Sequence, residues 1–313
     1  MAAATTLVHY VTHPSTTWRA FRKHWFVYLA GVLLPVALYG TFVGYPLVYS
    51  VYLSFVDWNG LSANMKFVGL SNYSELFHDS IFWDSLKNTL KWIVGAIIFA
   101  DGIAFLLAVF LRSHRVHFGT FFRLLLFLPV TMSLVSVGLM FSFILNPAFG
   151  VISVILQDIG LGSLNIDLLG DTNKVVYTLI VVFGWSYVGI PMMLFDAGLT
   201  QIPVELYEAA KIEGANGTQI LRYVTIPMLR PIFIVVTILA VIEALRTFDI
   251  VLVMTRGGPG TTSDVLGYFM YITSFTETRF GYGASVSTVI LLLSSLFAIV
   301  YLRRVGSDIF NAA

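Results

Sequence analysis

Six stretches of this chain, at roughly residues 26–52, 89–111, 122–145, 175–198, 231–254 and 285–302, stay apolar for about the 20 residues that a helix needs to cross a hydrocarbon core. With 58% hydrophobic and 11% charged residues, the chain has too little polar surface to cover a soluble globule of 313 residues. An all-α membrane protein with six transmembrane helices is predicted. Residues 1–25 form an amino-terminal segment, 26–302 the membrane domain with a polar loop at 199–230, and 303–313 a tail. Met1 to Ala20 lacks a short apolar core ending in a cleavage site, and Arg19, Arg22 and Lys23 stand directly before the first apolar run, so the first helix reads as an uncleaved anchor.

Charge placement sets the expected orientation. With the amino terminus inside, Arg19, Arg22, Lys23, Arg112, Arg115, Arg123, Lys211, Arg222, Arg230, Arg303 and Arg304 are cytoplasmic, against Lys66, Lys87, Lys91, Lys174, Arg256 and Arg279 outside. That bias puts both termini and the 199–230 loop in the cytoplasm. Tyr45, Tyr49, Tyr52, Trp58, Trp83 and Trp92 then cluster at the outer interface as an aromatic belt. The net charge of +1 gives no sign of a nucleic-acid partner, and the absence of cysteine excludes disulfides, thiolate metal sites and a cysteine nucleophile.

Residues 205–231 are the polar, helix-prone exception between two apolar runs. Pro203 suits a first turn, Glu205 and Glu208 fall at the positive end of a helix dipole, and Gly214 suits a cap with positive φ. A second amphipathic stretch with Ile220, Leu221 and Val224 on one face runs to Pro227. A helix, a glycine turn and a second helix are expected, with Ala209 and Ala210 offering a flat patch where another backbone can approach.

The order Glu208-Ala209-Ala210, three residues, Gly214, nine residues, Val224-x-Ile226-Pro227 resembles the cytoplasmic EAA loop of permease subunits from binding-protein-dependent ABC importers. There Ile and Leu stand where this chain has Val224 and Ile226. Phe67-Val68-Gly69-Leu70-Ser71-Asn72-Tyr73, Asn88-Thr89-Leu90, Asn146-Pro147-Ala148-Phe149-Gly150, and Phe248-Asp249 with Met254-Thr255-Arg256-Gly257-Gly258-Pro259 are similar to further segments of the family. The last of these points to the maltose-type carbohydrate group and to the first of its two permeases.

The resemblance implies a type I importer fold working with a second, non-identical permease, two cytoplasmic ATPase subunits that carry the ATP and Mg, and an extracytoplasmic sugar-binding protein. This chain itself would bind no cofactor. Glu208, Ala209, Ala210 and Gly214 would sit in the ATPase cleft. Cargo contacts of the family fall near Phe183, Ser186, Tyr187 and Ile190 on the fourth helix, and at the apolar Val130 and Leu134, beside Thr131 and Ser133, on the third. On the fifth they fall at Glu243 or Ala244 and at Arg246 or Thr247. Trp185 and Tyr187 are candidates for stacking a sugar ring.

Glu243 and Arg246 carry their own argument. An ionisable residue at membrane depth costs about 2.5–3.5 kcal/mol and faces a cavity or a partner. At i and i+3 the two can neutralise each other, so a structural pair and a path role stand side by side. Asp101 is a lone carboxylate in the second helix, and Asp196 lies near a cytoplasmic end where it can reach water. No Gly-rich stretch ending in Lys-Ser or Lys-Thr occurs, so the chain is expected to be a non-catalytic subunit. The competing class is an ion-coupled secondary transporter using Asp101, Glu243 and Arg246 as a relay, and a polyol or glycerophosphate-type cargo is a variant of the importer. The location implied is the plasma membrane of a bacterium or archaeon.

Overall fold

The computed structural model describes residue 25, residues 29–112 and residues 118–305. Arg19, Arg22, Lys23, His114, Arg115, His117 and the chain beyond 305 lie outside the described residues. Two bodies are defined, Met1–Leu53 and Ser54–Ala313. The first contains one long helix, α1 (Leu29–Leu53), which opens into a π-helical turn at Gly40–Gly44. Tyr45, Tyr49 and Tyr52 stack in sequence near its end, with ring centroids 5.9 and 6.1 Å apart.

The second body opens with a two-residue hairpin, β1 (Val56–Asp57) against β2 (Lys66–Phe67), followed by α2 (Ser71–His78) and the long α3 (Ser80–Arg112). Then come α4 (Gly119–Thr131), α5 (Leu134–Ile144), α6 (Val151–Asp158), α7 (Val175–Tyr187), α8 (Gly189–Gln201) and α9 (Val204–Ile212). The chain finishes with α10 (Gly217–Met228), α11 (Arg230–Arg246), α12 (Asp249–Met254), α13 (Leu266–Tyr271) and α14 (Phe280–Arg304). Among the described residues, α1, α3 and α14 are each long and apolar enough to cross a membrane, and the bent pairs α4/α5, α7/α8 and α10/α11 bring the total to six if each pair is one span.

The bends have local causes. The 100° break between α4 and α5 follows Pro129, with Met132 and Ser133 extended. At the 45° break between α7 and α8, Gly189 lies so close to the backbone of Leu126 and Phe127 that a side chain would collide, and Pro191 removes an amide. Pro231 stands at the start of α11, after the 70° turn at Leu229. The fifth apolar segment is not the continuous 231–254 helix expected. It stops at Arg246, where Thr247 turns extended and donates its hydroxyl to the Glu243 carbonyl at 2.7 Å, and it restarts as α12.

Packing inside the bundle depends on small residues. Ala96, Ala100, Ala104 and Ala108 recur every fourth position on α3, all at most 1% exposed. A Cβ at Gly95 would overlap Ile180, and one at Gly184 would overlap the Phe99 ring, so each glycine leaves a notch in which a side chain of the facing helix presses against its backbone. Larger groups lock either end of this face. Trp92 meets Phe183 edge-on at 5.8 Å, and Phe105, Phe195 and Phe233 form a triangle with centroids 4.6–5.4 Å apart. Trp92 is therefore fully buried core and not part of an interfacial belt, because the helix face it shares with the alanines is the packed one.

At the end of the bundle away from α9, polar side chains tie loops to helices. The Asn88 amide donates to the carbonyls of Thr262 and Asp264 at 2.8 and 3.0 Å, and the Thr89 hydroxyl accepts from the Leu266 amide at 2.9 Å. Asn72 does the same for the hairpin, donating to Ser54 and Val56, and Arg279 grips Glu75 with two 2.7 Å bonds. Asp264 closes the loop that begins at Gly257. Its Oδ1 is buried without a hydrogen-bond partner, packed against Gly257 and Tyr268, and burial pushes its carboxyl up to about 7.

Candidate functional site

The polar loop folds as its sequence predicts. Pro203 stands at the N-cap of α9, just before the first turn expected for it, with Glu205 in that turn. The helix ends at Gly214, φ +83°, where the Ala215 amide reaches back to the Ala210 carbonyl at 2.9 Å in a Schellman-type closure. Asn216 and Gln219 then form a reciprocal capping box, at 2.8 and 2.9 Å, that starts α10. That Asn-x-x-Gln signal was readable in the sequence and was missed. Glu205, Glu208 and Ala209 are exposed, Ala210 is partly buried, and Ile212 is 87% exposed at the end of the same helix. Pro227 is exposed in the last turn of α10. An acidic first turn, a flat alanine and a protruding isoleucine give α9 an outer face that is exposed among the described residues.

The inner side of this loop is held by the bundle. Tyr207 and Leu221 pack on the core, and Gly198 on α8 lies where a Cβ would overlap Ile232 and Leu229 of the following turn. Asp196 is not simply a solvent-facing carboxylate. Its Oδ1 is 3.1 Å from the Arg123 guanidinium on α4 and 3.8 Å from that of Arg112 at the end of α3. Three spans are thereby tied together just behind α9.

A second feature lies midway along the bundle. A cavity of about 300 Å³ is lined by Pro129, Val130, Met132, Leu134, Phe183, Ser186, Tyr187, Ile190, Leu239 and Glu243, at the lower end of the roughly 300–1,000 Å³ found for ligand pockets. The structure thus brings together Phe183, Ser186, Tyr187, Ile190 and Glu243 with the apolar Val130 and Leu134. Tyr187 stacks on Phe183 at 5.4 Å, and the Ser186 hydroxyl donates to the Phe183 carbonyl at 2.8 Å, leaving its lone pairs free to accept.

The other pathway candidates do not line the cavity. Thr131 donates its hydroxyl to the Leu128 carbonyl, and Ser133 sits at the helix break. Trp185 packs edge-on against Phe141 at 5.2 Å. Thr247 is buried at the end of α11, and Arg246 meets Glu243 at 3.5 Å with a side chain 69% exposed. Asp101 is not alone, since the Thr237 hydroxyl donates to its Oδ2 at 2.6 Å across the α3–α11 contact. The chemistry available is hydrogen bonding by a carboxylate, a phenol and a hydroxyl beside two stacked rings, which suits a polar, ring-bearing solute.

These geometries define a multi-span transport permease with a broken-helix bundle and an exposed helix at its basic end. The chain belongs to the family described as the binding-protein-dependent transport system inner membrane component, whose sequence profile matches residues 102–308. It is 36% identical over 279 residues to a probable ABC transporter permease of Pyrococcus horikoshii, covering 88% of this chain and 94% of that one. To the multiple sugar-binding transport system permease MsmF of Streptococcus mutans it is 30% identical over 292 residues, covering 92% and 97%. The arabinooligosaccharide transport permease AraP of Halalkalibacterium halodurans shares 32% over 265 residues, with 84% and 82% covered. Among solved structures, a chain of a bacterial alginate ABC importer superposes with a TM-score of 0.80 at 20% identity, covering 93% of this chain and 99% of that one. The fold is that of a type I ABC importer permease, in a multi-pass inner-membrane protein.

Proposed function

We propose that this chain is the cargo-conducting permease of an ATP-driven importer for a di- or oligosaccharide, the first of two non-identical permeases. The outer face of α9 carries the proposal. Its exposed Glu205, Glu208, Ala209 and Ile212, closed by Gly214, form a rigid plug whose loop packs on the bundle behind it. A secondary transporter has no use for such a handle. In the working unit, two ATPase subunits hold ATP and Mg, grip α9 from the cytoplasm and tip the bent spans. An extracytoplasmic binding protein delivers the sugar at the end capped by Asn72, Asn88 and Arg279. Both termini are cytoplasmic, and the chain performs no catalysis of its own. Relatives named for multiple sugars and arabinooligosaccharides support a carbohydrate cargo, as does the cavity with Tyr187, Phe183 and Glu243.

The test is reconstitution in vesicles of the chain with its co-purifying subunits. Uptake of labelled oligosaccharide should require ATP and the binding protein, and should fail when Glu208 and Ala209 are both replaced by Arg, with assembly of the two permeases unchanged. Uptake driven by an ion gradient in ATP-free vesicles would overturn the proposal.

A further inference from the structure

A second cavity, of about 560 Å³, lies behind α9, between the ends of α3 and α8 and the start of α10. Its walls are mostly apolar, with Val109, Leu199, Ile202, Ile220 and Leu221 among them, and among the described residues no acidic one lines it. Two cations reach it. Arg112 shares the single Asp196 carboxylate with Arg123, so that group of three keeps one positive charge in excess. Lys211 brings another. It projects with Val204 and Tyr207, three and four residues apart, from the inner face of α9, while Glu205 and Glu208 do not line the cavity. Among the described residues Lys211 has no acidic partner within ion-pair distance. The hydroxyls of Tyr207 and Thr225, 3.5 Å apart, stand at the same wall.

Apolar walls where spanning helices end, two excess cations and two hydroxyls are the complement of a phosphodiester joined to a greasy body. We propose that this cavity binds the head group of an anionic phospholipid, which wedges behind the docking helix. The cavity lies at the ends of the spans, so it meets the head groups of whichever leaflet the basic end faces. The acyl chains would leave past the half-buried Val109 into the bilayer, and the phosphate would sit between Arg112 and Lys211. A lipid held there would fill the space between α9 and the bundle and stiffen the route by which force on α9 reaches α3 and α8.

Native mass spectrometry of the full chain, purified in detergent with the subunits that co-purify, tests this with phosphatidylglycerol, phosphatidylcholine and inorganic phosphate as probes. Phosphatidylglycerol should be retained in preference to phosphatidylcholine. Lys211→Gln should lower that retention about fivefold, the worth of one cation near the surface, and Ile220→Trp, which fills the cavity without touching a charge, should lower it as well. Equal retention of the two lipids would overturn the proposal, as would retention unaffected by either variant. Displacement of phosphatidylglycerol by inorganic phosphate alone would assign the site to a free anion and would also overturn it.

Discussion

Gly214 offers the sharpest test of the docking loop. Its φ of +83° is one that L side chains adopt only with strain, yet a Cβ built there meets nothing within 4 Å. Conformation and bulk are therefore separable at this site. Alanine should cost about 1–2 kcal/mol of left-handed strain, and valine more, because its branch also restricts χ1. Asparagine, which tolerates the left-handed region through local hydrogen bonding, should cost least. On the equilibrium between the capped and the opened loop, 1–2 kcal/mol is a factor of about 5–30. Binding-protein-stimulated uptake by vesicles holding the assembled transporter should therefore rank glycine, asparagine, alanine, valine, with asparagine near the native rate although it is larger than alanine. Equal loss for asparagine and valine would show that bulk against the partner decides, and a native rate for valine would show that the cap is not needed at all.

Asp264 should make folding pH-dependent. Its folded carboxyl titrates near 7 against an unfolded value of 3.8, so the folded state holds the proton more tightly. The stabilisation is whole below about pH 4 and is lost as pH rises through 7. Thermal midpoints across that range should fall for the native protein and flatten in Asp264→Asn, and an identical slope in the variant would refute the assignment. Gly184→Val should cost about 1–3 kcal/mol by overpacking against Phe99, read as a lower melting temperature in detergent, and an unchanged midpoint would mean that α3 and α7 are not in contact. Glu243→Gln combined with Arg246→Gln should assemble normally, since their 3.5 Å pair is largely exposed in this chain and such pairs are worth about 0–1 kcal/mol. Uptake should nonetheless fall about tenfold or more, as a charged hydrogen bond to the cargo is lost. Unchanged kinetics would leave Glu243 as a structural ion pair.

The spans and the helical form of the polar loop were legible because both depend on local rules. Apolar length marks a span, and Pro203, Glu205 and Gly214 punctuate a helix whatever surrounds it. The Phe183 to Ile190 stretch was placed by resemblance, and the structure gathers four of its residues and Glu243 around one cavity. What sequence reading missed depends on neighbours distant in the chain. The break at Thr247 follows from packing, with Phe248 stacked on Tyr271 and α12 set against Gly138 of α5. Asp101 looked solitary because Thr237 lies far along the chain. Trp92 looked interfacial from its position near a span end, although the alanines following it at Ala96, Ala100, Ala104 and Ala108 mark the packed side of that helix. The spacing of those alanines was visible all along.

That alanine face has a mechanical consequence. Methyl groups have no rotamers to lose or rearrange, so the middle of α3 presents α7 with little side-chain repacking to oppose a small shear, while the Thr237 hydroxyl on Asp101 pins α11 to the same stretch. The Phe105, Phe195 and Phe233 triangle, close to the Arg112–Asp196–Arg123 tie, is the opposite, a meshed joint that resists sliding. Trp92 against Phe183 meshes the other end of the face in the same way, so any sliding of α7 on α3 is confined to the stretch between two fixed points. Replacing Ala100 by leucine would roughen that stretch while sparing both meshed ends, and should leave the transporter assembled and still able to bind ATP, with its far end no longer opening to an impermeant thiol reagent directed at an introduced cysteine.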